Sequence, residues 1–74
     1  MYKMVIRITG EQQRVAVFRG PHCRKKMLEL YYDYRDKAAE REEIKSIRVW
    51  GTIDNKATMI LEWVSGAGAR RITR

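Results

Sequence analysis

One cysteine, one histidine and one proline are all that this 74-residue chain holds of three residue types on which very small proteins often depend. A lone Cys23 excludes an internal disulfide framework. With His22 as the only histidine, there is no Cys/His cluster at zinc-ligand spacing either. No cofactor is expected. Long apolar runs are missing too. No stretch approaches the roughly 20 residues that span a bilayer, and Met1 to Gly10 alternates charged with apolar residues instead of building the apolar run of a signal peptide. The expectation is a soluble, cytoplasmic protein with no membrane partner. Acidic residues are the last scarcity: nine Asp and Glu face sixteen Lys and Arg, a net charge of +7. So basic a short chain favours an acidic partner: nucleic acid, an acidic protein surface or anionic lipid.

What is present is enough apolar material to fold. A hydrophobic fraction of 45% with seven aromatic residues exceeds what a disordered chain carries. Length allows one compact domain with one helix layer and one sheet layer. Tyr2, Met4, Ile6 and Ile8 alternate with Lys3, Val5, Arg7 and Thr9, which predicts a strand with one greasy face. A short polar link from Gly10 to Gln13 leads into β-branched Arg14 to Arg19, so the two runs read as a hairpin. Gly20-Pro21 breaks the strand and opens a helix expected to run from about Pro21 to about Glu43. Its apolar stripe is Met27, Leu28, Leu30, Tyr31, Tyr34 and Ala38. Asp33–Lys37 is an ion pair at helical spacing, and Tyr32 points away from the stripe as a candidate exposed contact. Two further strands follow, Ile44 to Thr52 and Ala57 to Val64, joined through Asp54-Asn55. The predicted fold is therefore α+β: a two-layer, four-stranded antiparallel sheet with one long helix in the order ββαββ. Residues 1–64 make the domain, and 65–74, beginning Ser-Gly-Ala-Gly-Ala, make a flexible basic tail.

The charge is unevenly placed. Between Arg24 and Glu43 six basic side chains (Arg24, Lys25, Lys26, Arg35, Lys37, Arg41) balance six acidic ones (Glu29, Asp33, Asp36, Glu40, Glu42, Glu43), so the helix is neutral and the excess belongs to the strands and tail. One helix covers one face of a sheet and leaves the other to solvent, a second subunit or a ligand. By alternation the uncovered face should carry Val5, Arg7, Arg48, Trp50, Thr52, Thr58, Ile60 and Glu62, with Phe18 near it. Arginine beside an aromatic suits single-stranded nucleic acid, in which bases stack on rings, and equally a protein interface, in which Trp and Arg serve as anchors. The candidate binding residues are Arg7, Arg48 and Trp50 on that face, Arg24, Lys25 and Lys26 at the helix start, and Arg70, Arg71 and Arg74 on the tail. Three cations at a helix N-terminus, where carboxylates normally sit, suit an anion; the plainer reading is that they point into water.

Catalysis is not expected. Cys23 among cations at a helix start should have some nucleophilic character, but neighbouring residues on a helix diverge, so His22 is badly placed to activate it, and no orienting carboxylate is near in sequence. No small-molecule substrate is evident. Ribonucleoprotein aromatics, a KH-type glycine loop, a helix-turn-helix pair and zinc knuckles are all absent. A compact, basic, motif-free chain is typical in size and style of phage accessory proteins, which bind and block or recruit a larger host complex. The expected function is thus a non-enzymatic regulatory or accessory protein that binds an acidic protein surface. Nucleic-acid binding by the open sheet face and tail is the alternative, and a homodimer paired around Trp50 is a third arrangement.

Overall fold

The computed structural model describes residues 1–71. Strands β1 (Tyr2–Ile8) and β2 (Arg14–Phe18) precede helix α1 (Cys23–Glu40). Strands β3 (Ile44–Ile53), β4 (Lys56–Val64) and β5 (Gly68–Arg71) follow it. All pairings are antiparallel and the spatial order is β2-β1-β3-β4-β5. The class is α+β as expected, but the sheet has five strands instead of four. Gly68 to Arg71, expected to lie in a tail, pair with β4 from Val64 down to Leu61. The small residues that read as a linker make the reversal: Gly66 (φ 87°) and Gly68 (φ 81°) take left-handed backbone open to glycine, and the Ala67 N–H closes the turn on the Val64 carbonyl at 3.0 Å. Arg74 lies outside the described residues.

Local chemistry explains the other boundaries. Asp54 (φ 52°) and Asn55 (φ 62°) form the two-residue link between β3 and β4, the left-handed pair that a tight hairpin requires. α1 is shorter than the span from Pro21 to Glu43. At its start the Cys23 N–H donates to the Gly20 carbonyl at 3.2 Å, and at its end Arg41 is extended while donating its N–H to the Lys37 carbonyl at 2.9 Å. The chain leaves the helix there because the Glu43 carbonyl accepts the Thr9 N–H at 2.8 Å, which aligns the incoming β3 with the end of β1.

The core lies between α1 and the central strands. Met4 and Ile6 of β1 and Ile44, Ile47 and Val49 of β3 meet Met27, Tyr31 and Ala38 of the helix, all buried. α1 packs over β2, β1 and β3. Leu28, Leu30 and Tyr34 pack against this core from the helix, as the apolar stripe predicts. Asp33 and Lys37 pair at 3.1 Å, and Tyr32 is exposed. Burial pushes the Tyr31 phenol above the ordinary tyrosine pKa, a rise that the nearby Arg35 guanidinium partly opposes. A proton held more tightly when folded stabilises fully below the unfolded value of about 10 and is lost as pH rises through the folded one. Melting temperature should therefore fall as pH rises above about 10, and Tyr31→Phe, which keeps the ring, should flatten part of that fall. An equal fall in both proteins would show that the phenol contributes nothing.

Two bulges set which side chains share a face. Arg7 stands opposite Ser46 and Ile8 opposite Ile44, so Lys45 is an extra residue in β3. Val49 stands opposite Leu61 and Trp50 opposite Met59, so Ile60 is an extra residue in β4. A bulge breaks strict alternation, so the residues beyond it exchange faces relative to a simple count.

Candidate functional site

The face of the sheet turned away from α1 is the candidate site, and it is built as cross-strand rows. Val17, Lys3, Trp50 and Met59 form one row. Val15, Val5, Arg48 and Glu62 form the next. Arg7, Ser46 and Val64 form the third. Because the core residues Met4, Ile6, Ile47 and Val49 take the helix side, their neighbours Lys3, Val5, Arg7, Arg48 and Trp50 take this one. Strand β2 contributes its two large exposed apolar residues, Val15 at 48% and Val17 at 51% exposure.

The bulge at Ile60 corrects the expected list. Ile60 packs against the helix-side core, and Thr58 pairs with Gly51 on that same side, where a Cβ on Gly51 would lie 3.1 Å from the Tyr2 ring and 3.6 Å from Ile60 Cδ1. Phe18 also packs against the core beneath the helix. Met59 and Ala57 take the vacated places on the open face. The bulge at Lys45 adds a cation there, since Lys45 lines one hollow with Arg7, Ser46 and Arg48.

At the centre of the face is an internal polar cluster. Arg48 donates Nε–H to Glu62 Oε2 at 2.9 Å and Nη1–H to Ser46 Oγ at 3.0 Å. Ser46 and Glu62, the two buried polar residues of the described chain, both lie on this side of the sheet with no helix over them. Arg48 itself stays about one-third exposed, its side chain at 30%. Two of its five N–H groups are committed, which fixes the guanidinium plane and leaves three for an acceptor from outside.

Two hollows flank this cluster. One, of about 290 Å³, is lined by Met1, Lys3, Val5, Trp50, Gly51, Thr52 and Ala57 and is mainly apolar. The other, of about 380 Å³, is lined by Arg7, Ile8, Thr9, Lys45, Ser46, Arg48 and Val64 and is cationic. Among the described side chains, the face offers Lys3, Arg7, Lys45 and Arg48 against the carboxylate of Glu62.

Of the other predicted site residues, those at the helix start do not join it. Arg24, Lys25 and Lys26 are exposed at the start of α1, in the other layer of the domain. No acidic residue sits in that first turn and His22 makes no side-chain cap, so the three cations are solvated at an uncapped end. By Cα register Arg70 stands opposite Glu62 and Arg71 opposite Leu61 in β5. Sequence reasoning missed Lys3, Val15, Val17, Lys45 and Met59. Alternation within Arg14 to Phe18 contained the signal for the two valines; nothing local announces either bulge.

No family model, curated protein or solved structure matches this chain. Among the described residues no helix is long and apolar enough to cross a membrane.

Proposed function

We propose that this protein acts by binding and not by catalysis, as a small accessory module that docks the open face of its sheet on an acidic surface of a larger protein. The observation that carries the reading is the composition of that face: exposed Val15 and Val17 with part-buried Val5, Trp50, Met59 and Val64, rimmed by Lys3, Arg7 and Lys45. Apolar area supplies the favourable burial, and the cations select the sign of the partner and speed encounter. Nucleic acid gains less from this geometry. Among the described residues Trp50 is the one ring on the face, where single-strand binders use successive aromatics. A second copy of the chain would set like charges against each other, which costs binding energy.

The test is capture on the tagged protein from nuclease-treated lysate of its native cells. Trp50→Glu and Val17→Glu should each reduce recovery of the captured protein at least tenfold while circular dichroism stays native. Recovery that vanishes with nuclease, or that is indifferent to both substitutions, would refute the reading.

A further inference from the structure

Resting on that reading, we infer that the partner presents one continuous acidic amphipathic segment, read at two points: an apolar anchor side chain in the Trp50 hollow and carboxylates at the Arg7–Lys45–Arg48 end. The two hollows differ in kind yet share one face. The first takes its walls from Val5, Trp50, Met1 and Ala57, with Lys3 as its one charged side chain. The second gathers three cations around Ser46 and Val64, with Glu62 held to Arg48 beside it. Lys3 and Arg7 mark the two ends on β1, four residues apart, so at about 3.3 Å per residue the points lie about 13 Å apart.

That separation sets the spacing in the ligand. An extended segment covers it in about four residues, and a helical one, rising about 1.5 Å per residue, in about nine. The ion pair between the hollows makes the order of the points matter. Glu62, already bonded to Arg48, gives a carboxylate nothing to bind over the middle of the face, whereas the outer N–H groups of Arg48 donate to one at the cationic end, where Arg7 and Lys45 add to the attraction. Apolar anchor and acidic group are thereby directed to opposite ends. Charge complementarity assigns the occupant: four cations and one carboxylate on the face select a segment of opposite sign and disfavour a second copy of this chain.

The experiment is selection of a displayed library of random 16-residue peptides on the intact protein, followed by fluorescence polarisation of the enriched peptides. Supporting results are enrichment of Trp, Phe, Leu or Met separated by about four or about nine residues from Asp or Glu, and affinity at least tenfold weaker for both Trp50→Glu and Arg7→Glu/Lys45→Glu. The equal charge change Arg24→Glu/Lys26→Glu, in the other layer, should leave affinity within twofold. Enriched peptides that lack acidic residues, equal losses in the helix-layer control, or no peptide held better than by Trp50→Glu would each overturn the inference. So would a 20-nucleotide oligothymidine that displaces the peptides at micromolar concentration. Capture from lysate separates the two claims: a partner lost with Trp50→Glu alongside non-acidic peptides removes only the two-point segment, whereas a partner indifferent to Trp50→Glu removes the docking face itself.

Discussion

Ile47→Ala should cost about 2–5 kcal/mol, the range for deleting the branched end of a buried aliphatic side chain without full collapse of the cavity. Ile47 is fully buried on the central strand β3, with Ile6 opposite on β1 and Trp63 opposite on β4. Its helix-side neighbours cannot close the gap cheaply, because Met4, Ile6, Met27 and Val49 are themselves buried and immobilised by one another. In a chain of 74 residues the consequence is severe. Domains of this size hold about 5–15 kcal/mol in all, and each kcal/mol moves the melting temperature by about 4–8 °C. Thermal melts should show a drop of about 8 °C or more, and urea titration a lower midpoint. The instructive control is Val17→Ala, on the same sheet but on the face without a helix and half exposed. It should change stability by less than about 0.5 kcal/mol, as surface substitutions do. Equal losses at Ile47 and Val17 would mean that both faces are covered and that the open face is not open.

The contrast between those positions shows how far sequence pattern reaches. Strict alternation in Tyr2 to Thr9 assigned both faces of β1 correctly, because a period of two leaves no ambiguity while pairing stays in register. The helix stripe was equally legible: Met27, Tyr31 and Ala38 are buried where spacing put them. Reading failed where one residue is inserted. Ile60 has the composition of an ordinary strand residue, and only its pairing with β3 makes it a bulge; every assignment from Ala57 to Ile60 inverts with it. Lys45 is the same case at the other end of β3. The fifth strand was hidden for a different reason. Gly-Ala-rich sequence has weak intrinsic strand preference, and Gly68 to Arg71 acquire theirs by pairing with the free edge of β4. Of the open face, Arg7, Arg48 and Trp50 were legible from charge, aromaticity and alternation. Chemistry alone does not reveal that Arg48 is internally bonded, because that depends on Glu62, fourteen positions away in sequence and adjacent across the ladder.

That bond makes the effects of removing each partner unequal. Glu62 is almost fully buried and Arg48 about one-third exposed, so the two charges differ in access to water. Arg48→Ala strips the guanidinium from Ser46 and from Glu62 together, and removing one partner of a buried pair leaves the other charge in a poorly solvated place. Water can enter once the long stem has gone, which limits the loss to about 1–3 kcal/mol. Glu62→Gln keeps an oxygen acceptor in the same place, and Arg48 can turn its exposed side to solvent, so its loss should stay below about 1.5 kcal/mol. The order of stability, native above Glu62→Gln above Arg48→Ala, is measurable by urea titration at pH 7. Binding should follow a different order. Arg48→Ala removes a group that donates to carboxylates at the cationic end of the face and should weaken the acidic peptides at least tenfold, whereas Glu62→Gln removes the negative charge beside it and should strengthen them. A variant that is less stable and yet binds an acidic ligand more tightly separates the structural part of this pair from its part in recognition. If Glu62→Gln instead weakens both folding and binding, the pair serves only to hold the strands together.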